Sequence, residues 1–236
     1  MKLTKSLGGI FLEAALIVFG VSVSFYVESW RQQRADAEKG KGYLRQIDSD
    51  LEEDSIQLGR LQNKYLKLEK MANRFIFSYV TYNGGKLPIS NDSIARIIYD
   101  FTRSESPYDP LSTSYSSVKF SGQLDLIKNN TLEKEIISYY ERNPVKQRMQ
   151  DANNWTNSKF LSFVGEQMDV LDFYWLIFAH HPEKAKTDFY RLYNDNFMKS
   201  AMGFSQDITE ELSRLISVRI QSNRELRSHL KTELSK

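Results

Sequence analysis

The chain has no cysteine in 236 residues, which removes a disulfide framework, a thiolate nucleophile and any Cys-ligated zinc or iron–sulfur site. Either side of a bacterial membrane tolerates that absence, so it does not locate the protein. There is no charge of one dominant sign: 32 basic residues face 30 acidic ones, and Lys and Arg nowhere reach the density of a nucleic-acid patch. Nucleic acid is therefore not an expected partner. A Gly-rich phosphate loop, a nucleophile elbow and a His-Glu-x-x-His pattern are all missing. The sequence gives no reason to expect an enzyme, a cofactor, a metal or a small-molecule substrate. Long strand-period segments, internal repeats and low-complexity tracts are absent too, which leaves an all-α reading.

What the chain does have is one long apolar run, Leu7 to Val27, whose only charge is Glu13. At ~1.5 Å rise per residue a helix of that length crosses the hydrocarbon core of a bilayer. A cleaved signal peptide is the rival: Lys2 and Lys5 form a basic start, and Ser22-Val23-Ser24 resembles a cleavage site. The carboxylate within the run argues for retention. So do Phe25, Tyr26 and Trp30, which have the character of an interfacial aromatic belt with Tyr26 and Trp30 as anchors. The expected layout is a short tail (1–6), a transmembrane helix with interfacial aromatics (7–30), a juxtamembrane linker (31–42) and one helical extramembrane domain (43–236), which is enough chain for a single core.

Projected at about 100° per residue, Gly9, Glu13, Leu16, Gly20 and Ser24 share a face of the first helix, a small and polar stripe suited to helix–helix contact. A carboxylate inside a span is a functional candidate by default, because ionised it costs several kcal/mol unless protonated, paired or turned to protein. The plainer reading is that Glu13 hydrogen-bonds across a helix pair or reaches the headgroups. Gly40 and Gly42 interrupt the pattern beyond the interface, where the first helix either hinges at a flexible joint or continues into a long amphipathic helix that packs in a helical bundle. From Tyr43 an amphipathic helix of some 35 to 40 residues carries a seam of Leu51, Leu58, Leu61, Tyr65 and Leu68, with Asp54 as its one polar member. The pattern alone does not say whether that seam meets a second subunit or the chain itself.

Asn83-Gly84-Gly85 ends this helix, and Ser90-Asn91-Asp92 caps one through Ile94, Ile97, Ile98 and Phe101. A short helix at Leu111–Phe120 stops before Gly122 as a left-handed cap. Asn130 with Glu133 resembles a capping box, and Pro144 kinks or restarts the helix that follows. Val170–Ala179 is too short for a second span and reads as buried core or a surface turn, ended by Pro182. A last long helix runs from about Ser205 through Leu212, Leu215, Ile216, Leu226 and Leu230.

Other chemistry is weighed against plainer readings. Asp48, Asp50, Glu52, Glu53 and Asp54 lack the loop and glycine of a calcium site and read as a solvated helix face. His180 and His181 are adjacent and so cannot form a helical i, i+4 metal pair; a helix-end or loop role is expected. Glu166 and Asp169 are an acid/base pair only by accident of many carboxylates, and Phe173-Tyr174-Trp175 reads as core.

The Glu13…Gly20…Trp30 spacing, Tyr43-Leu44-Arg45-Gln46-Ile47 through Asp50-Leu51-Glu52-Glu53-Asp54, and Ser114-Tyr115 leading to Ser121-Gly122-Gln123-Leu124-Asp125-Leu126-Ile127-Lys128-Asn129 and then Leu132, Ile136, Tyr139 and Tyr140 resemble an uncharacterised bacterial family of single-span inner-membrane proteins. These stretches cover about the first 140 residues. The resemblance implies a bacterial inner-membrane anchor and a helical domain, with no known activity. Members carry a longer basic tail that sends the domain to the periplasm; here the tail has six residues and two lysines. Counting Arg31, Arg34, Lys39, Lys41 and Arg45 after the span instead puts the domain in the cytoplasm, and the resemblance tips the balance toward the periplasm.

Two functional classes follow. One is a membrane-anchored interaction or scaffold protein that works through a second copy or a membrane partner. The other is a subunit of an oligomeric transport or channel complex that uses Glu13.

Overall fold

The computed structural model describes the backbone of residues 7–80, 89–102 and 107–236; the side chains of residues 7–11, 14 and 80 lie outside the description. Its described residues are mostly helical and contain no strand. The helix α1 (Leu7–Val80) is continuous over 74 residues. It is followed by α2 (Asn91–Thr102), α3 (Thr113–Phe120), α4 (Asn130–Glu141), α5 (Pro144–Trp155), α6 (Leu161–Gln167), the single turn α7 (Val170–Phe173), α8 (Phe189–Asn194) and the 39-residue α9 (Asn196–Leu234).

The frame is an antiparallel pair of α1 and α9. Three polar links fix its register: Asn223 donates to the Leu51 carbonyl at 2.9 Å, Gln62 donates to Ser217 at 3.0 Å, and Gln206 donates to Asn73 at 2.6 Å. At ~1.5 Å per residue, α9 is about 58 Å long, so it runs beside α1 from Gly40 to the helix end. The seam is spent on this pairing. Leu51 and Leu58 are fully buried, Tyr65 and Leu68 nearly so, and Leu61 is half-buried. Their partners belong to the same chain: Leu226 and Leu230 of α9 with Ile136 of α4 at one end, then Leu212 and Ile216 of α9 with Val145 and Met149 of α5. A third apolar cluster closes the far end around Phe75, Ile94, Ile98, Phe160, Leu176, Tyr193 and Met198.

No joint occurs at Gly40 or Gly42; α1 stays helical through both. A single glycine weakens a helix by only about 1 kcal/mol, and here packing outweighs that cost. Gly40 is buried beneath the turn Leu124–Leu126, and a Cβ on it would stand 2.4 Å from the Leu126 carbonyl oxygen. The glycine is there for close approach. Tyr43 donates to Gln123 beside it, and Gly122, at φ +67°, makes the left-handed cap that ends α3 and turns the chain onto α1.

Local signals act at or close to where the pattern puts them, with two shifts, at α4 and α9. The cap of α4 is Asn129, whose side chain accepts from the Thr131 and Leu132 amides at 3.2 Å each, and not Asn130. Pro144 restarts the chain as the first residue of α5, with Asn143 as its cap. Ser90 accepts from the Ser93 amide at 3.2 Å to open α2. The Val170–Ala179 segment is a surface turn: Val170, Leu171, Tyr174 and Phe178 are exposed, while Leu176 and Asp172 point inward. Asp172 accepts from the Lys186 amide and the Thr187 hydroxyl, tying that turn to the next loop. The last helix begins at Asn196, nine residues before Ser205, because Asp195 caps it. Asn83-Gly84-Gly85 lies outside the described residues.

The two α1 glycines separate close approach from propensity. Gly40→Ala is expected to lower stability by about 1–3 kcal/mol through overpacking against Leu126. Gly42→Ala, whose Cβ meets nothing within 4 Å, is expected to raise it by up to about 1 kcal/mol. Thermal or denaturant unfolding of the full chain measures both, and equal shifts for the two variants would contradict the packing described.

Candidate functional site

Two features stand apart from an ordinary helical bundle. The first is the amino-terminal part of α1, which projects from the body as an arm. From Leu12 to Lys39 every described side chain is exposed except the half-buried Asp36. Large apolar groups dominate its first half, with Leu16 63%, Phe19 68% and Phe25 72% exposed. Of the stripe read from the sequence, Leu16, Gly20 and Ser24 lie along one open groove, Glu13 is exposed on the same helix, and the Gly9 position is described in backbone only. Ser22 and Ser24 donate back to the carbonyls of Val18 and Gly20 at 2.8 and 2.9 Å, so both hydroxyls are satisfied inside their own helix. Tyr26 and Trp30 are exposed at 76% and 50%, and the Arg34 guanidinium lies 4.6 Å over the Trp30 ring. Among the described residues no helix is long and apolar enough to cross a membrane; the side chains of residues 7–11 and 14, which belong to the Leu7–Val27 run, are outside that set.

The second feature is a buried polar layer between the two apolar clusters nearest the arm. Asp54 is fully buried. Its carboxylate accepts from Tyr108 at 2.6 Å, from the Tyr139 hydroxyl and, at 3.4 Å, from Asn223. Asn223 also donates to the Tyr139 oxygen at 3.0 Å. The Arg219 guanidinium covers the Tyr139 ring at 3.4 Å from its centre and donates through Nη1 to the Arg142 carbonyl at 3.2 Å, while its Nε and Nη2 have no hydrogen-bond partner. Tyr139 thus stands between a buried carboxylate and a buried cation.

For Asp50 and Asp54 this corrects the reading of the acidic run as a solvated face, which holds for the exposed Glu52 and Glu53. Asp54 and Asp50 are interior, and Asp50 accepts from the Ser114 amide at 2.9 Å. Asp48 and Glu52 pair with Arg227 of α9 at 2.9 and 3.2 Å. Asp50 and Asp54 fall on the same helix face as Ile47, Leu51 and Leu58, so the packing that buries the seam buries them too. A buried carboxylate persists because hydroxyl and amide donors meet its lone pairs. Among the described residues no three His, Asp or Glu side chains gather as a metal site. His181 bonds Glu183 at 2.8 Å and His180 stands edge-on to Tyr99, both in the loop after Phe178. Asp169 is the cap of α7, accepting from Leu171 and Asp172 amides.

The tyrosines feel this environment. Burial raises the Tyr139 phenol to about 12, with Arg219 pulling it down and Asp54 pushing it up. Burial also pushes Tyr108 and Tyr140 well above the ordinary phenol range, neighbouring Tyr139 and Asp54 adding to Tyr108, and Asp50 and Tyr139 adding to Tyr140. Beside the layer, α4 and α9 leave a cleft of about 360 Å³ with Tyr139 and Arg219 in its wall. Sequence patterning marks Asp54 as the polar member of an apolar seam, yet nothing in it couples that residue to Tyr108, Arg219 or Asn223, which lie 54 to 169 positions away.

No family model, curated protein or solved structure matches the chain.

Asp54→Ala is expected to destabilise by about 3–5 kcal/mol, because it strips the buried guanidinium of its compensating charge as well as unpairing two phenols. Tyr139→Phe, which leaves the charges in place, costs about 1–3 kcal/mol; denaturant titration ranks the two, and a larger loss in Tyr139→Phe would reverse their roles. A phenol with a folded pKa above the unfolded 10.0 holds its proton more tightly in the native state, so its contribution is complete below pH 10 and declines as pH rises from 10 toward 12. Phenolate absorbance against pH should therefore reveal a late-titrating class that ionises only as helicity is lost. Uniform titration near the ordinary phenol value with the fold intact would contradict it.

Proposed function

We propose that this protein is a membrane-anchored helical scaffold, with the α1 arm set in a bacterial inner membrane and the α1–α9 bundle held just outside it. The observation that carries this reading is the arm: a helix continuous with the body, apolar over its first half, whose described side chains from Leu12 to Lys39 are exposed apart from the half-buried Asp36. Burying its ten large apolar side chains from Leu12 to Val27 is worth roughly 1 kcal/mol or more each, on the order of 10 kcal/mol in all, which is comparable to the whole stability of a domain. A surface of that size calls for a cover. The full Leu7–Val27 run has the length a bilayer needs, and Tyr26 and Trp30, with Arg34 over the Trp30 ring, follow it where an interfacial belt belongs.

The way such a scaffold associates is narrowed by the packing. Leu51, Leu58, Leu61, Tyr65 and Leu68 are engaged by the chain's own α9 and neighbouring helices, so they do not supply a seam for a second copy. The open Leu16–Gly20–Ser24 groove of the arm supports association there, with another copy or another membrane protein.

Expressed whole in a bacterium, the chain should sediment with membranes, resist alkaline wash and require detergent for release, and a reporter at its carboxy terminus should be active on the periplasmic side. Deleting residues 2–30 should move it to the aqueous fraction with its helicity otherwise retained. Recovery of the intact full chain from the aqueous fraction as a single monodisperse species would overturn the anchor, and a reporter active only in the cytoplasm would reverse the orientation.

A further inference from the structure

We infer that the outward face of α1 between Ile56 and Arg74 is a docking surface for an acidic amphipathic helix of a partner protein. The inference is independent of the membrane reading, since this stretch belongs to the bundle. Its first support is a segregation of charge along α1. From Ser55 to Val80 the helix carries five cations, Arg60, Lys64, Lys67, Lys70 and Arg74, against one carboxylate, Glu69. At about 100° per residue, Ile56, Arg60, Asn63, Lys67, Lys70 and Arg74 fall within an arc of about 80°, on the side away from Leu58, Tyr65 and Leu68. All six are exposed, with 71% of the Lys67 side chain accessible, and Lys64 borders them.

The second support is that the bundle answers one half of this polarity and leaves the other open. The acidic stretch before the ridge is engaged within the chain: Asp48 and Glu52 by Arg227, Asp50 by the Ser114 amide, Asp54 by Tyr108 and Asn223. Along the ridge itself, the described residues bring Asp100 to 3.9 Å from Lys67, while the side chains of Arg60, Lys70 and Arg74 make neither an ion pair nor a hydrogen bond. Held on one helix at intervals of about 4 to 10 Å, these charges repel one another, and a complementary anion relieves that repulsion.

The form of the ridge selects its occupant. Steps of four, three, four, three and four residues from Ile56 to Arg74 are those with which a second α-helix meshes. The charged part is about 21 Å long, two heptads of a partner helix. Ile56, 52% exposed, extends the line and Leu66, 40% exposed, lies at its edge, so the partner places aliphatic groups beside its carboxylates. None of the six ridge residues is aromatic, which leaves no ring on which a nucleic-acid base could stack. A bilayer holding the arm ends about 50 Å short of the ridge, because Arg60 is 33 residues beyond Val27. A second copy laid in register on this face sets cation against cation. Exposed ion pairs are individually weak, so affinity comes from several of them engaged together on one face.

Fluorescence anisotropy with the full chain in nonionic detergent tests this. The probe is a labelled synthetic peptide of repeated Glu-Ala-Ala-Glu-Leu-Ala-Ala heptads, about 21 residues long. It should bind saturably at one site per chain, at least about ten-fold tighter than a peptide of the same composition with its glutamates scattered around the helix, and weaken as salt rises. Lys70→Glu with Arg74→Glu should weaken it by about ten-fold or more, and Arg60→Glu alone by less, with the unfolding midpoint unchanged. Arg214→Glu with Arg224→Glu, an equal change of net charge at exposed positions of α9, should leave binding within about three-fold of the parent. The proposal is overturned if the peptide does not bind saturably, if the scattered peptide binds as tightly, or if the α9 pair weakens binding as much as the ridge pair. It is equally overturned if duplex DNA or phosphatidylglycerol added to the micelles displaces the peptide at lower concentration than unlabelled peptide does, or if the ridge pair changes the native mass of the free protein.

Discussion

The bundle turns on one buried carboxylate. Asp54 sits on α1 between two apolar clusters, and the groups that satisfy it come from three other parts of the chain: Tyr108 from the loop before α3, Tyr139 from α4 and Asn223 from α9. Hydrophobic contact alone lets helices slide and rotate at little cost, because it has no direction. A carboxylate that must find its donors in low dielectric has one acceptable arrangement, so the register of α9 on α1 and the seating of α4 are set together. Asn223 makes the point most directly, since its amide meets both the Asp54 side chain and the Leu51 backbone one turn earlier.

Around that layer the division of labour is simple. Apolar clusters on either side supply most of the burial, and polar links at 51, 62 and 73 on α1 fix which residues of α9 stand opposite. The short helices act as braces. The Leu124–Leu126 turn rests on Gly40, and Asn91 grips the start of α8 by accepting from the Phe189 amide while donating to the Thr187 carbonyl. Among the described residues the arm, with Leu16, Phe19 and Phe25 mostly exposed, lies outside this mutual burial.

Much of the architecture was legible in the pattern. The 3.5-residue spacing of Leu51, Leu58, Tyr65 and Leu68 marks a buried seam, Gly122 marks a left-handed turn, and Pro144 marks a helix start; each is what the structure contains. The failures share a cause. Gly40 reads as a joint because propensity is a local property, whereas its use depends on Leu126, 86 positions later. The acidic run reads as solvated because charge alone points to water, whereas Asp50 and Asp54 share the inward face of Ile47, Leu51 and Leu58 while Glu52 and Glu53 face out. The polar layer was only hinted at by Asp54, since its other members occupy ordinary positions on separate helices and acquire meaning from the fold. Arg219 in particular carries no sequence signal that separates it from the other basic residues of α9.

The absence of a break in α1 reaches further than the length of the helix. A rigid rod has no freedom to swivel, so the azimuth of the arm is locked to that of the body. From Gly20 to Leu51 is 31 residues, and at about 100° each the two side-chain directions differ by roughly 140°. The groove beside Gly20 therefore opens nearly opposite to the side on which α9 lies. Any neighbour that seats in that groove will meet the bare back of the protein, with the bundle turned outward, and a tilt imposed on the rod at one end must swing the mass at the other.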